Sequence, residues 1–413
     1  MKFPLPLVHE VKIMGEDPQL GVESESYPRL VVPSMALSRF VIQAPQVILM
    51  LLLIDIGVSF GLPVGIMGQV MTAYSLSGFI MAILMGILSV RFKHKNLILT
   101  GLGLRVISAI GCIYVQDYNM MFVLYLLSGF GTGLISPMTV TLIAEHLPKE
   151  KRARAISWLV TGMGLSFVVS PLAISYLSGM RGWRFPFSAY ILPLTLLSLV
   201  LVYFGVPSSK ISSAETRRGD YLEGFKKVLS NRSALACLFG LMLSTLAIMG
   251  MWGYASSYFR QKLGVTTTFA SMMMIVGALS YVGGSQIAGR VIKSIGSKKL
   301  FVIAYIIGGI GVGIAYNISN VWAVLALSIF IFVMVGMGFT ASNHLTLMQV
   351  PQYRGTIMSL FTAANSLGLA LGSAIGGMIL LSYDYGFLGI AALTFGLLAS
   401  TIVHTMTQET EKN

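Results

Sequence analysis

Two arginines lie where charge is costly. Arg39 and Arg105 each interrupt an apolar run long enough to cross a lipid bilayer. A cation at the centre of a membrane helix costs about 2.5–3.5 kcal/mol on insertion scales, so such residues are functional candidates by default. Arg105 stands about 15 Å along its helix, close to the midplane. It is placed either to touch an anionic solute and its coupling network or to pair with backbone carbonyls. Arg39 lies nearer the end of its run and can snorkel toward water. No acid balances them: Asp55 sits where the first run ends and Glu145 where the fourth ends. A proton carrier of the usual kind needs a carboxylate whose raised pKa lets it load and release a proton, and the membrane interior supplies none.

Other chemistry is excluded by spacing. Cys112 and Cys237 both sit in apolar stretches, form no disulfide framework or metal motif, and read as small hydrophobes. Five scattered histidines make no cluster of the kind an enzyme site needs. The phosphate-binding pattern Gly-x-x-x-x-Gly-Lys-Ser/Thr does not occur, which argues against ATP-driven pumping within this chain. The sequence therefore implies no metal, no cofactor and no catalysis.

The elements that hold these residues follow from composition. Hydrophobic residues make up 55% and charged residues 10% of the 413, with a mean hydropathy of +0.81, whereas soluble domains carry about a quarter charged residues. Lipid accepts apolar side chains around every helix, provided each backbone polar group is satisfied within it. A span needs about 20 apolar residues, and that measure predicts an all-α membrane protein with spans at 32–54, 64–89, 96–115, 120–144, 155–178, 186–206, 233–257, 268–289, 299–317, 321–345, 356–381 and 386–406. Residues 1–31 and 407–413 read as polar tails and 207–232 as a linker between two six-helix bundles, 32–206 and 233–406. In the linker, Tyr221, Leu222, Phe225, Val228 and Leu229 recur at helical spacing, which predicts a short amphipathic helix on the membrane surface.

The net charge of +13 is not a nucleic-acid footprint, because Lys and Arg fall in short runs between apolar stretches. Arg91, Lys93, Lys95, Lys149, Lys151, Arg152, Arg154, six linker cations, Arg290, Lys293, Lys298, Lys299 and Arg354 share one side. The other side has only Arg181, Arg184, Arg260 and Lys262. The positive-inside rule then puts both termini and the linker in the cytoplasm, with a plasma membrane as the expected location.

The halves also repeat. Gly86 to Lys95 resembles Ser285 to Lys293 with Arg91 matched to Arg290, 199 residues apart, and Pro148 to Arg152 resembles Pro351 to Arg354 with the arginines 202 apart. Two similar offsets from unrelated loops point to duplicated six-helix halves, the architecture in which a solute site lies at the midplane between them.

At these residues the chain resembles the major facilitator superfamily, nearest to its twelve-span drug-efflux branch. Gly86, Arg91, Lys93 and Lys95 match the family's loop after span 2, although Val90 replaces its Asp; Glu145 is then the expected partner of Arg91. Glu145 to Arg154, with Arg152, resembles the loop between spans 4 and 5, and Gly182-Trp183-Arg184 with Phe187 resembles the start of span 6. Gly368, Gly372, Gly376 and Gly377 resemble a small-residue motif, here in span 11, while span 5 keeps Ser166, Ser170, Pro171 and Ser175. Ser128 stands where efflux members carry an Arg in span 4. Small residues four apart let helices approach closely, and proline loosens the backbone. Gly86, Arg91, Glu145, Arg152, Pro171, Arg290 and Gly372 are thus the expected gating residues.

The resemblance implies a secondary transporter working by alternating access, with a cavity lined by spans 1, 4, 7 and 10. It offers Gln43, Gln46, Ser136, Trp252, Tyr254, Tyr258, Asn343 and His344 as cavity residues, to which the cost of membrane charge adds Arg39 and Arg105. Aromatics with a few polar groups suit an amphipathic small molecule, and export is the expected direction. Arg39 and Arg105 motivate the alternative of an organic-anion carrier, and a non-transporting receptor or scaffold is the alternative of another class. The expected partners are a small-molecule substrate, the bilayer and a coupling ion such as a proton, with the chain acting as a monomer.

Overall fold

The computed structural model describes residues 30–207 and 223–408, the side chains at 86, 87, 90, 149 and 153 excepted. Residues 1–29 and 409–413 of the polar tails, and linker residues 208–222 with Tyr221 and Leu222, fall outside the described residues. Among the described residues twelve helices are long and apolar enough to cross a membrane: spans 1 to 6 are Val31–Phe60, Val64–Met85, His94–Tyr114, Tyr118–His146, Glu150–Arg181 and Phe187–Gly205, and spans 7 to 12 are Arg232–Gln261, Thr267–Ile295, Ser297–Ala315, Val321–Gln349, Pro351–Ser382 and Tyr385–Met406. Both described ends lie on one face, here the terminus face; the opposite one is the distal face.

Polar residues in the short loops start several helices. The side chains of Asp117, Asn231, Thr266, Asn320 and Asp384 each accept from backbone N–H groups of the first turn that follows. Those N–H groups have no partner within the helix. At the distal end of span 1, Gly61 takes a φ of 66°, a left-handed stop that favours glycine.

The packing repeats with the sequence. In the first half span 4 packs on spans 2 and 3, span 5 on span 1, and span 6 on spans 1 and 3; in the second half span 10 packs on spans 8 and 9, span 11 on span 7, and span 12 on spans 7 and 9. The halves meet where span 2 lies on span 11, span 5 on span 8, and the distal ends of spans 1 and 7 touch. Spans 3, 6, 9 and 12 expose Ile107, Phe204, Ile310 and Ile390, as lipid-facing helices do. Residues 223–230 are helical. Val228 is buried in a cluster with Leu238, Leu241, Val350 and Phe361, which docks this helix on the second half.

Candidate functional site

Span 1 is broken, and the break organises the site. The chain is helical over Val31–Val41 and again over Ala44–Phe60. Pro45 has no N–H to give the carbonyl of Val41, and the N–H of Gln46 turns to Gln43 at 3.1 Å. A carbonyl left alone in lipid costs several kcal/mol. Neighbouring spans supply the missing donors. Arg105 Nη2 donates to Val41 O at 2.6 Å, Tyr74 Oη to Ile42 O at 3.0 Å and Tyr125 Oη to Pro45 O at 3.2 Å. Arg105 also donates through Nη1 to Thr132 Oγ1 at 2.9 Å.

A second break follows at Leu52, whose φ of −109° and ψ of 18° leave the helical region. The carbonyl of Leu51 accepts from Ser256 Oγ at 3.2 Å and from Arg260 Nη1 at 3.4 Å. Span 7 breaks at the matching place: a π-helical turn over Leu246–Gly250 leads to a turn at 253–254 before Ala255–Gln261. There Met251 O accepts from Tyr316 Oη at 2.9 Å. Leu51 and Met251 stand 200 residues apart, within the repeat offset, so both halves carry a discontinuous helix at equivalent positions, with a carbonyl at the break held by another span; Met251 O also accepts from Tyr254 N at 3.2 Å.

The distal side is closed. Arg260 forms a two-pronged ion pair with Asp55, at 2.5 Å to Oδ2 and 2.9 Å to Oδ1. Gln69 Nε2 donates to Ala374 O at 3.2 Å, and Ser175 Oγ to Thr268 Oγ1 at 3.2 Å. Gly65 and Gly377 meet backbone to backbone: a methyl added to either would lie 2.5 Å from the other's carbonyl oxygen. The Tyr254 ring presses on Gly68 of span 2 and lies against Gly376 and Gly377 of span 11.

The terminus side is open. Spans 1 and 7 are the most enclosed helices, with 67% and 72% of their apolar windows buried, so a half-exposed stripe on either looks into internal space. Span 1 shows Arg39, Gln43, Gln46 and Met50, each half-buried, at i, i+4, i+7 and i+11 on one face; Gln43, Gln46 and Met50 stand between buried neighbours. Span 7 shows Leu235, Phe239 and Met242, with Phe239 53% exposed, and then Met249; from Gly250 to Phe259 every residue is buried. Exposure thus declines with depth and ends at the distal seal. The space is a funnel.

Among the expected cavity residues, Arg39 crosses this space to span 4, donating through Nε to Thr139 Oγ1 at 2.9 Å and through Nη1 to Ser136 Oγ at 2.7 Å. Gln43 and Gln46 share its face. Arg105, 2% exposed, is withdrawn behind span 1, because the carbonyl freed by Pro45 captures it. Trp252, Tyr254 and Tyr258 lie beyond the funnel in the distal core. Trp252 packs against Phe259, Tyr316 and Phe332, Tyr254 donates to Ser373 O at 2.5 Å, and Tyr258 donates to Ile318 O; the turn at 253–254 aims them there. Asn343 is half-buried, while His344 is exposed near the terminus face and bonds Ser297 Oγ at 2.7 Å.

Among the expected gating residues, the pairing of Arg91 with Glu145 is corrected. Glu145 Oε1 lies 2.5 Å from His94 Nδ1, whose Nε2 faces Ser89 O at 3.0 Å, and Arg91 is exposed. The first residue of span 3 is simply nearer to the end of span 4. Gly86 lies in the helix of span 2 and Pro171 inside span 5. Arg152 Nε donates to Leu147 O at 2.9 Å, and Arg290 is exposed. Gly372 contacts the π-helical turn of span 7, where an added methyl would meet Leu246 O at 2.6 Å.

Sequence reading missed Tyr74, Thr132 and Thr139, whose types are ordinary in membrane helices. It also missed Asn365, half-buried midway along span 11 and accepting from Thr245 Oγ1 of span 7 at 3.1 Å. A lone amide in an apolar span was the available signal.

The family model described as Major Facilitator Superfamily matches residues 35–284 and 237–413. A probable sugar efflux transporter of Helicobacter acinonychis (strain Sheeba) is 23% identical over 388 residues, covering 92% of this chain and 96% of that protein. Multidrug resistance protein 2 of Bacillus subtilis (strain 168) is 22% identical over 333 residues, covering 78% and 82%. Among solved structures, a D-xylose-proton symporter superposes with a TM-score of 0.78 at 18% identity, over 94% of this chain and 99% of that one. At such identity the likeness is one of fold.

Proposed function

The chain belongs to the Major Facilitator Superfamily, a family of membrane transporters and not of enzymes, and we propose that it exports a small amphipathic molecule by alternating access. The observation that carries the proposal is the funnel. A polar face of span 1 stands open to one side of the membrane while the halves are sealed on the other, so transport requires only that the seal and the opening exchange places.

The excess of Lys and Arg on the terminus face supports a cytoplasmic position for both termini and for the linker joining 32–206 to 233–406, in the plasma membrane. The funnel then opens to the cytoplasm and loads from within. The names of two relatives, a sugar efflux transporter and a multidrug resistance protein, support the outward direction. Coupling to a proton would run through Asp55, the one carboxylate among the described residues that bonds across the halves. One chain holds both halves of the path, so a monomer suffices.

Uptake into inside-out and right-side-out vesicles, with sugars and lipophilic dyes as probes, tests this reading. Uptake favouring inside-out vesicles, reduced in Gln43→Ala and Gln46→Ala, is the expected result. Uptake only in the right-side-out orientation would reverse the direction, and no exchange of any probe would return the chain to the receptor or scaffold class.

A further inference from the structure

We propose that the funnel selects amphipathic organic anions, holding the anionic group at Arg39 and the apolar body against the second half. This names the substrate class of the site above and rests on that reading of the funnel.

The argument starts from charge. Every Asp and Glu of the sequence lies in a tail, a loop or the linker, or within about two turns of a span end. Among the described residues Asp55 is committed to Arg260 and Glu145 to His94. Among the described residues the funnel therefore carries the charge of Arg39 with no counterion, while Arg105, held at Val41 two residues along span 1, is withdrawn behind that span and faces away from the funnel. A cation in a low-dielectric space without a partner is unfavourable. An anionic guest relieves it, whereas a cationic guest would add to it.

Arg39 is also the right shape for this role. Its Nε and Nη1 are fixed by Thr139 and Ser136, so the guanidinium is held without a carboxylate. Nη1, which has two N–H groups, gives one to Ser136, so its second N–H and those of Nη2 are the donors left to grip two oxygens of one group, the kind of contact Arg favours. Gln43 and Gln46, one and two turns deeper, offer amides to whatever polar atoms follow.

The second half supplies different chemistry on the matching helix. The face of span 7 carries Met242, Thr245 and Met249, with Thr245 occupied by Asn365. Methionines make an adaptable apolar wall. The duplicated halves have thus diverged into a cationic, amide-bearing wall and a thioether wall, which suits a guest charged at one end.

Arg105 acts on this site by position. It holds the carbonyl released by Pro45, and so fixes the turn from which Arg39 and Gln43 project to either side. It does not touch the guest.

The test is binding to the purified full chain in a neutral detergent, read by thermal unfolding and calorimetry, which requires no transport. The probes are salicylate and 1-naphthoate, their methyl esters, and 1-naphthylmethylammonium. The expected result is that each acid binds at least about tenfold more tightly than its ester and that the ammonium binds more weakly than either. In Arg39→Gln that preference disappears while ester binding persists, which shows that the funnel is intact; Arg39→Lys keeps part of the preference. Arg105→Gln weakens acid and ester together without changing their ratio. Tighter binding of the ester or the ammonium to the native chain would overturn the proposal, as would a preference that survives Arg39→Gln, or no binding by either acid. Failure of vesicle export with these binding results intact would fault the transport reading alone.

Discussion

Arg105 of span 3 and Val41 of span 1 are joined by a hydrogen bond of 2.6 Å from Nη2 to the main-chain carbonyl. The relationship exists because Pro45, four residues on, cannot supply the N–H that this carbonyl would otherwise receive. A buried cation and a broken helix are each costly in a membrane. Here Nη2 of the cation satisfies the freed carbonyl without a carboxylate, while Nε of Arg105 is buried with no hydrogen-bond partner among the described residues.

Removing Arg105 is therefore expected to cost stability. Arg105→Leu leaves the Val41 carbonyl without its donor, worth about 1–3 kcal/mol for a buried group, and loosens the turn that presents Gln43. The unfolding midpoint in detergent should fall, while Arg105→Lys, which keeps one donor, recovers part of it. A midpoint equal to that of the native chain would mean that another group reaches Val41.

The ion pair of Asp55 and Arg260 is expected to bias the conformational equilibrium. The pair joins spans 1 and 7 across the distal seal with both prongs formed, but Asp55 is 37% exposed at its side chain, so its contribution is of the order of 1 kcal/mol. Asp55→Asn should raise the labelling rate of a reporter cysteine placed by Gln69→Cys, several-fold. The charge-exchanged double variant, Asp55→Arg with Arg260→Asp, should bring it back. Equal labelling in all three would show that the seal does not depend on the pair.

A third prediction concerns pH at the linker helix. Lys227 Nζ lies 3.0 Å from Glu223 Oε1, and Tyr353 Oη donates to the same oxygen at 3.1 Å. The hydrogen bond from Lys227, then that from Tyr353, holds the Glu223 carboxyl below its ordinary value of 4.5. A depressed acid contributes its tie at pH above the unfolded value and loses it as pH falls through the folded one. Amide exchange in 223–230 should accordingly be flat from neutral pH down to about 5 after correction for intrinsic rates, and rise only below the ordinary carboxylate range. Glu223→Gln should exchange faster than the native chain near neutral pH and converge with it at low pH, where Glu223 itself is protonated.

Much of this fold is legible from residue types because a bilayer punishes alternatives: apolar length alone locates twelve helices, and the loop arginines reveal the repeat. The site is legible only in part. Arg39 and Arg105 look alike in sequence, two cations in apolar runs, and depth alone favours Arg105 for the solute. What separates them is Pro45, whose effect falls on a carbonyl with no side-chain signature, and Thr139 with Ser136, which meet Arg39 only after spans 1 and 4 have packed. Tyr254 and Trp252 mislead for a related reason, since aromatic type does not say on which side of a helix break a ring will point. Nothing local to Glu145 tells His94 from Arg91 either, because that choice is made by the way span 3 begins.

The contact of Gly65 with Gly377 yields the sharpest test of the seal. A methyl on either glycine would sit 2.5 Å from the opposing carbonyl oxygen, and both atoms belong to helix backbones that cannot turn aside. Gly65→Ala or Gly377→Ala must then push spans 2 and 11 apart, at a cost of about 1–3 kcal/mol to the distally closed state. That cost shifts a two-state equilibrium by roughly 5- to 150-fold toward distal opening. Gly103→Ala and Gly283→Ala are the matched controls, since an added methyl there meets nothing within 4 Å. Distal labelling of the cysteine introduced by Gln69→Cys should rise in the first pair and stay at the native rate in the second. If all four variants label alike, spans 2 and 11 do not form the seal, and closure must rest on the aromatic packing around Tyr254 instead.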